Sequence, residues 1–298
     1  MIGVFDSGYG GLNILKSLFR RLPQYDYFYL GDNARAPYGA RSFDVIYQFT
    51  LQGVKQLFDC GCPLVLLACN TASARALRTL QQQFLPSHFP DRRLLGVVRP
   101  SAEALARIPV GDVSNRQRPE LTGRVAILGT RETIRSQSYV FELQKLAPNL
   151  EVWQHECPIW AALVEAGEVA SAGAEWFVQQ YLHQLFNRCG KIDRILLACT
   201  HYAALLPLIQ KCLPEGLDVL TQAELVEERL VDWLERHPEL ETRLLKTGTR
   251  RFFTTDDHLH FCQVAHDILG VEIECETMEI DRDVRAVSAN YLQCASRK

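Results

Sequence analysis

The chain has no excess of positive charge. Its 32 lysines and arginines stand against 35 acidic side chains, a net charge of −3 over 298 residues. This argues against the basic surface by which proteins hold nucleic acid or an anionic membrane. No apolar run approaches the roughly 20 residues that cross a bilayer. The opening "MIGVFDSGYGG" lacks a basic leader and a clean apolar stretch before a cleavage site, so no secretory signal is expected and the expected location is the cytoplasm. No C-x-x-C pair is present. Cys60-Gly-Cys62 and the run His258, His260, Cys262, His266 therefore fit no strong zinc pattern. Neither G-x-G-x-x-G nor G-x-x-x-x-G-K-[ST] occurs, so the glycine-rich opening is not a standard nucleotide-phosphate loop.

What the chain does have is apolar residues, at 47%, and ten cysteines spread through apolar segments. The first suffices for a sizeable core. The second is unlike the dense framework of a small disulfide scaffold, so a reducing compartment and buried, hydrophobic cysteines are the default. Short β-rich runs recur at 2–5, 27–32, 63–69, 94–98, 124–130, 150–156 and 193–199, and most are followed by helix-like segments. This alternation predicts a parallel α/β architecture, and the near-continuous apolar runs predict strands covered on both faces.

Two halves of the chain can be laid over each other. "IGVFDSGYGGLNIL" resembles "VAILGTRETIRS", and "PLVLLACNTASARAL" matches "RILLACTHYAALL". The repeat predicts two similar domains of mostly parallel sheet: residues 1–98 joined by a returning tail 215–298, and residues 99–214. The polar stretch 107–123 reads as a loop before the second half, and Pro214-Glu-Gly216 as the boundary after it.

The repeat also places Cys69 and Cys199 in the same setting. Each ends an apolar strand just before a helix, which is where ligands bind in parallel sheets. A helix start favours thiolate, and a thiolate is a competent base or nucleophile. Either cysteine alone would be read as buried filler. Two such thiols facing each other across a cleft suit inversion at a carbon, where one removes a proton and the other delivers one to the opposite face.

Two further turns bear on this site. In "FDSGYGG" (5–11), Asp6 is a carboxylate ending an apolar strand, which needs partners, and it could orient or activate a thiol. The glycines beside it can expose backbone N–H groups to a carboxylate. In "GDNARAPYGAR" (31–41), Tyr38 and Gly39 could offer hydroxyl or backbone donors, although an ordinary loop is the default reading there.

Taken together, "DSGYGGL" (6–12), "GDNARAPYG" (31–39), "ACNTASA" (68–74) and "ACTHY" (198–202) resemble the glutamate racemases of the cofactor-independent aspartate/glutamate racemase superfamily. "GVVRPSAEA" (96–104), "CPIWAALVEAGE" (157–168) and, more weakly, "FFTTDD" (252–257) add to the likeness, and the matches run in order over almost the whole chain. The resemblance implies two flavodoxin-like domains with the site between them. It implies that Cys69 and Cys199 are the catalytic thiols, assisted by Asp6 and His201 respectively, with Glu165 an acid near the second. Ser7, Tyr38, Gly39, Asn70, Thr71, Thr200 and His201 would hold the amino acid, with Thr130 and Thr133 as a further binding turn. It also implies a reaction without metal, pyridoxal cofactor or nucleotide, a homodimer whose mode the sequence leaves open, and D-glutamate supply for the peptidoglycan of the cell wall.

The chain departs from the family in four places. Ala198 stands where Gly is usual, and Ala203 where Pro is usual. The 107–123 loop is long, and "LTQAE" (220–224) replaces a more usual Asp-Ser. Other readings are a racemase of another amino acid such as aspartate, a zinc or redox protein, and a non-catalytic binding protein. Against aspartate, that relative usually has Glu where this chain has His201.

Overall fold

The computed structural model describes residues 1–114 and 116–280. Asn115, in the polar loop, and residues 281–298, in the expected tail, lie outside the described residues.

Among the described residues, ten strands form two sheets. They are β1 (Ile2–Asp6), β2 (Tyr27–Gly31), β3 (Leu64–Leu67), β4 (Arg93–Gly96), β5 (Gly123–Gly129), β6 (Leu150–Glu156), β7 (Arg194–Ala198), β8 (Asp218–Leu220), β9 (Arg250–Thr254) and β10 (Cys275–Thr277). The first sheet runs β10-β9-β2-β1-β3-β4 and the second β6-β5-β7-β8. Every pairing is parallel. The second sheet repeats the order of the β2-β1-β3-β4 part of the first, so β3 and β7 are equivalent strands.

The apolar runs form strands because both faces are buried, with side chains alternating between them. Val4, Tyr29 and Leu66 enter one core layer of the first sheet, while Phe5, Leu30 and Leu67 enter the other. In the second sheet Ala126, Leu128 and Leu197 face one layer, and Val125, Ile127 and Leu196 the other.

Among the described residues, the chain crosses between the bodies twice. Val97 packs in a first-sheet core and Val98 in a second-sheet core. On the return, β8 pairs with β7 in the second sheet and Leu225 packs there, whereas Val226, Leu230 and Leu234 enter the first-sheet core. We propose domain divisions at 97/98 and 225/226. The helix Gln222–Arg236 carries the chain back, and β9 and β10 then extend the first sheet beyond β2.

Candidate active site

In a parallel sheet the connections leave in opposite directions on either side of the strand where the order reverses, which opens a crevice at the carboxyl ends. Here the reversal falls between β1 and β3 in one sheet and between β5 and β7 in the other. Asp6 ends β1, Cys69 follows β3, Thr130 follows β5 and Cys199 follows β7. All four residues are buried.

The two bodies meet through glycines. A methyl group on Gly10 would lie 2.7 Å from Thr200 Cβ and 3.0 Å from the His201 backbone nitrogen. One on Gly39 would lie 2.7 Å from Thr130 Cβ, and one on Gly8 would sit 3.5 Å from Glu165 Oε1 and 3.6 Å from His201 Nε2. The open turns of the first domain are thus what let its strand ends approach those of the second.

On the first side, Cys69 Sγ lies 3.2 Å from Ser7 Oγ and accepts the Ala72 backbone N–H at 3.4 Å, capping the short helix Asn70–Arg75. Asp6 Oδ2 accepts the Gly8 N–H at 3.0 Å, while its Oδ1 has no hydrogen-bond partner. Burial pushes the Asp6 carboxyl above its ordinary range. His201 and the N–H groups of Gly11 and Gly8 offset this only in part. Burial, and then the Asp6 charge, push the Cys69 thiol up to about 12, against the Ser7 hydroxyl and the Ala72 N–H. The expectation that the helix start favours thiolate is therefore corrected for Cys69: one N–H from a six-residue helix is outweighed, and Cys69 rests as a thiol.

On the second side, Cys199 Sγ lies 3.7 Å from His201 Nδ1. His201 Nε2 is 3.3 Å from Glu165 Oε1, off the line of a hydrogen bond, so the contact acts as an ion pair. Burial alone would lower the His201 pKa. The Cys199 sulfur, then Glu165 and Asp6, outweigh it and hold the ring well above its ordinary value, as imidazolium. One thiol thus sits with a hydroxyl and a carboxyl, the other with a cationic imidazole.

Thr71, Thr130 and Thr133 form a triangle across the bodies, with hydroxyls 3.0 Å, 3.4 Å and 3.0 Å apart. Thr200 is buried at the start of the turn after β7. Two expected substrate donors are committed elsewhere. The Tyr38 hydroxyl donates to buried Asp32. The Asn70 amide is paired with Gln222, and its Oδ1 also accepts from Tyr139 OH at 2.7 Å. Sequence reasoning missed Gln222 and Tyr139, which hold Asn70, Ser101, which accepts from Gln222, and Tyr29, whose hydroxyl donates to the Gly8 carbonyl at 2.9 Å. Nothing in a buried tyrosine of an apolar strand announces that task.

Among the described residues, no group of three or more His, Cys, Asp or Glu side chains is arranged to hold a metal. His258 bonds Thr277 and His266 bonds the Val271 carbonyl. No helix among the described residues is long and apolar enough to cross a membrane.

Two parallel α/β bodies, each presenting a thiol just after its third strand at a shared crevice, define a pseudo-symmetric two-domain α/β protein. Comparison with known proteins narrows this. No family model matches the chain. A glutamate racemase of Roseobacter denitrificans is 39% identical over 275 residues, 92% of this chain and 98% of that protein. The crystal structure of a Bacillus anthracis glutamate racemase superposes with a TM-score of 0.81 at 31% identity, covering 94% of this chain and 97% of that one. One from Francisella tularensis, in complex with D-glutamate, gives 0.79 at 29% identity over 95% and 97%. The chain belongs to the glutamate racemase family.

Proposed function

We propose that the protein interconverts L-glutamate and D-glutamate by proton transfer at the α-carbon between Cys69 and Cys199. The observation that carries this reading is the equivalent placement of the two thiols after β3 and β7, each with its own polar partners. Family membership supplies the substrate.

The chemistry follows from the two settings. A racemase needs one thiol and one thiolate at the start of each turnover. Cys69 is held as the thiol. An imidazolium 3.7 Å from Cys199 stabilises negative charge on that sulfur. In this state Cys199 removes the α-proton of one enantiomer, L-glutamate by the family resemblance. The electron pair remains on the α-carbon and its carboxylate, and Cys69 delivers its proton from the opposite face. The sulfurs end with their protons exchanged, ready for the reverse reaction.

An α-proton is very weakly acidic, so charge building on the carboxylate must be met by fixed donors. Thr71, Thr200 and the backbone N–H groups of the glycine turn and of Asn70 and Thr71 take this role, with Thr130 and Thr133 bracing Thr71. Asp6 tunes Cys69 through its charge. His201, ion-paired with Glu165, tunes Cys199. The D-glutamate formed would supply peptidoglycan. We place the protein in the cytoplasm, where its free thiols stay reduced, and propose a homodimer on the family resemblance.

Circular dichroism tests the activity. The ellipticity of L-glutamate and that of D-glutamate should both decay to zero with enzyme, while L-aspartate keeps its signal. A steady glutamate signal, or faster decay of aspartate, would refute the assignment.

A further inference from the structure

The stretch that departs from the family's Asp-Ser, "LTQAE" (220–224), contains a buried residue that the mechanism does not use. Gln222 opens the helix Gln222–Arg236 at the point where the chain returns from the second body to the first. Its amide is fully engaged. Nε2 shares its two hydrogens among Asn70 Oδ1 at 3.0 Å, Ser101 Oγ at 2.9 Å and Tyr139 OH at 3.0 Å, and Oε1 accepts from Asn70 Nδ2. Tyr139 OH donates in turn to Asn70 Oδ1 at 2.7 Å. All four side chains are buried.

The members of this knot come from distinct places. Asn70 adjoins Cys69 in the first body. Ser101 lies in the helix Val98–Leu105, just after the first crossing. Tyr139 lies in the helix Ser138–Leu146 of the second body, and Gln222 sits at the second crossing. Both crossings and both bodies are thus tied together one residue from a thiol. Such a buried network is rigid when every member is satisfied, and its geometry fixes the direction in which the residue after Cys69 leaves its strand.

We propose that Gln222 is a positioning residue for racemisation that acts through Asn70 to aim Cys69 at the α-carbon. The inference rests on the two-thiol reading above. Gln222 also borders a cavity of about 20 Å³ shared with Cys199 and Thr200. The hydrogen bonds of its amide nevertheless run toward Cys69, so its removal should weaken one thiol and not the other.

Kinetics can tell these apart. The enantiomers of glutamate have equal free energy in water, so a substitution must change kcat/KM equally in both directions. The α-deuterium isotope effects carry no such constraint. If proton transfer at Cys69 becomes slower, the isotope effect on the enantiomer that Cys69 deprotonates, D-glutamate, rises toward its full value. The effect on L-glutamate falls, because cleavage by Cys199 is then less limiting.

The test uses α-deuterated D- and L-glutamate with wild type, Gln222→Met, which keeps the volume and removes the hydrogen bonds, and Tyr139→Phe, which removes one hydroxyl. A misaimed base should lower kcat/KM by roughly 10–100-fold in Gln222→Met and less in Tyr139→Phe, with the two isotope effects moving apart as stated. Unchanged kcat/KM would overturn the proposal, as would isotope effects that stay put or move together while activity falls. The reverse pattern would put Gln222 behind Cys199 and overturn it too. If Gln222→Met fails to fold, Tyr139→Phe decides by the same readout. Racemisation of both substrates by wild type checks the underlying reading separately.

Discussion

Asp6 is a carboxylate held almost wholly away from water, with one oxygen on the Gly8 N–H and the other unpartnered. Its folded pKa is raised, chiefly by burial. A raised carboxyl destabilises the fold only when ionised. The penalty is absent below the unfolded pKa of about 3.9, grows as the pH rises through that value to the folded one, and is complete above it. Asp6→Asn should therefore gain melting temperature at neutral pH, by an amount that shrinks as the pH falls toward about 4, while glutamate turnover falls. Melting curves across that range check this, and a gain independent of pH would contradict it. Residue states of this kind were the least legible part of the sequence. The apolar run before Cys69 shows that the thiol ends a strand. It does not show that burial and Asp6 together outweigh the helix start. Likewise "ACNT" does not reveal that the Asn70 side chain turns away, toward partners that follow it by 69 and 152 positions.

At the scale of elements, the glycine turn after β1 matters through what it lacks. Its missing side chains let β1 and the turn Thr200–Leu205 after β7 come together. Gly10→Ala would drive a methyl group into the Thr200 side chain and to 3.0 Å from the His201 backbone. We expect a loss of about 1–3 kcal/mol in urea unfolding, as for overpacking in general, together with reduced turnover. An unchanged midpoint and unchanged activity would show that the contact is looser than described. The strands were readable because burial on both faces leaves an unbroken apolar run, as in "LVLL" and "RILLA". The second crossing was not. β8 is three residues long and only partly buried, so Pro214-Glu-Gly216 looked like the boundary, although the chain stays with the second sheet until about Leu225.

The whole molecule is a duplicated device whose copies have diverged where the chemistry differs. The strand order repeats, the thiols occupy equivalent positions, and the neighbours do not match: Ser7 lies beside Cys69 with Asp6 near, while His201, paired with Glu165, lies beside Cys199. The proposed reaction needs two unlike thiol settings of this kind, although substrate and product are mirror images. The claim that both sulfurs are required is tested most directly by following the circular dichroism of L-glutamate with wild type, Cys69→Ala and Cys199→Ala at equal concentration. The account predicts decay to zero with wild type and a rate lower by at least about 10²–10⁴-fold with each variant, since each has lost one of the two proton-transfer groups. Racemisation by either single variant at a rate near that of wild type would contradict it.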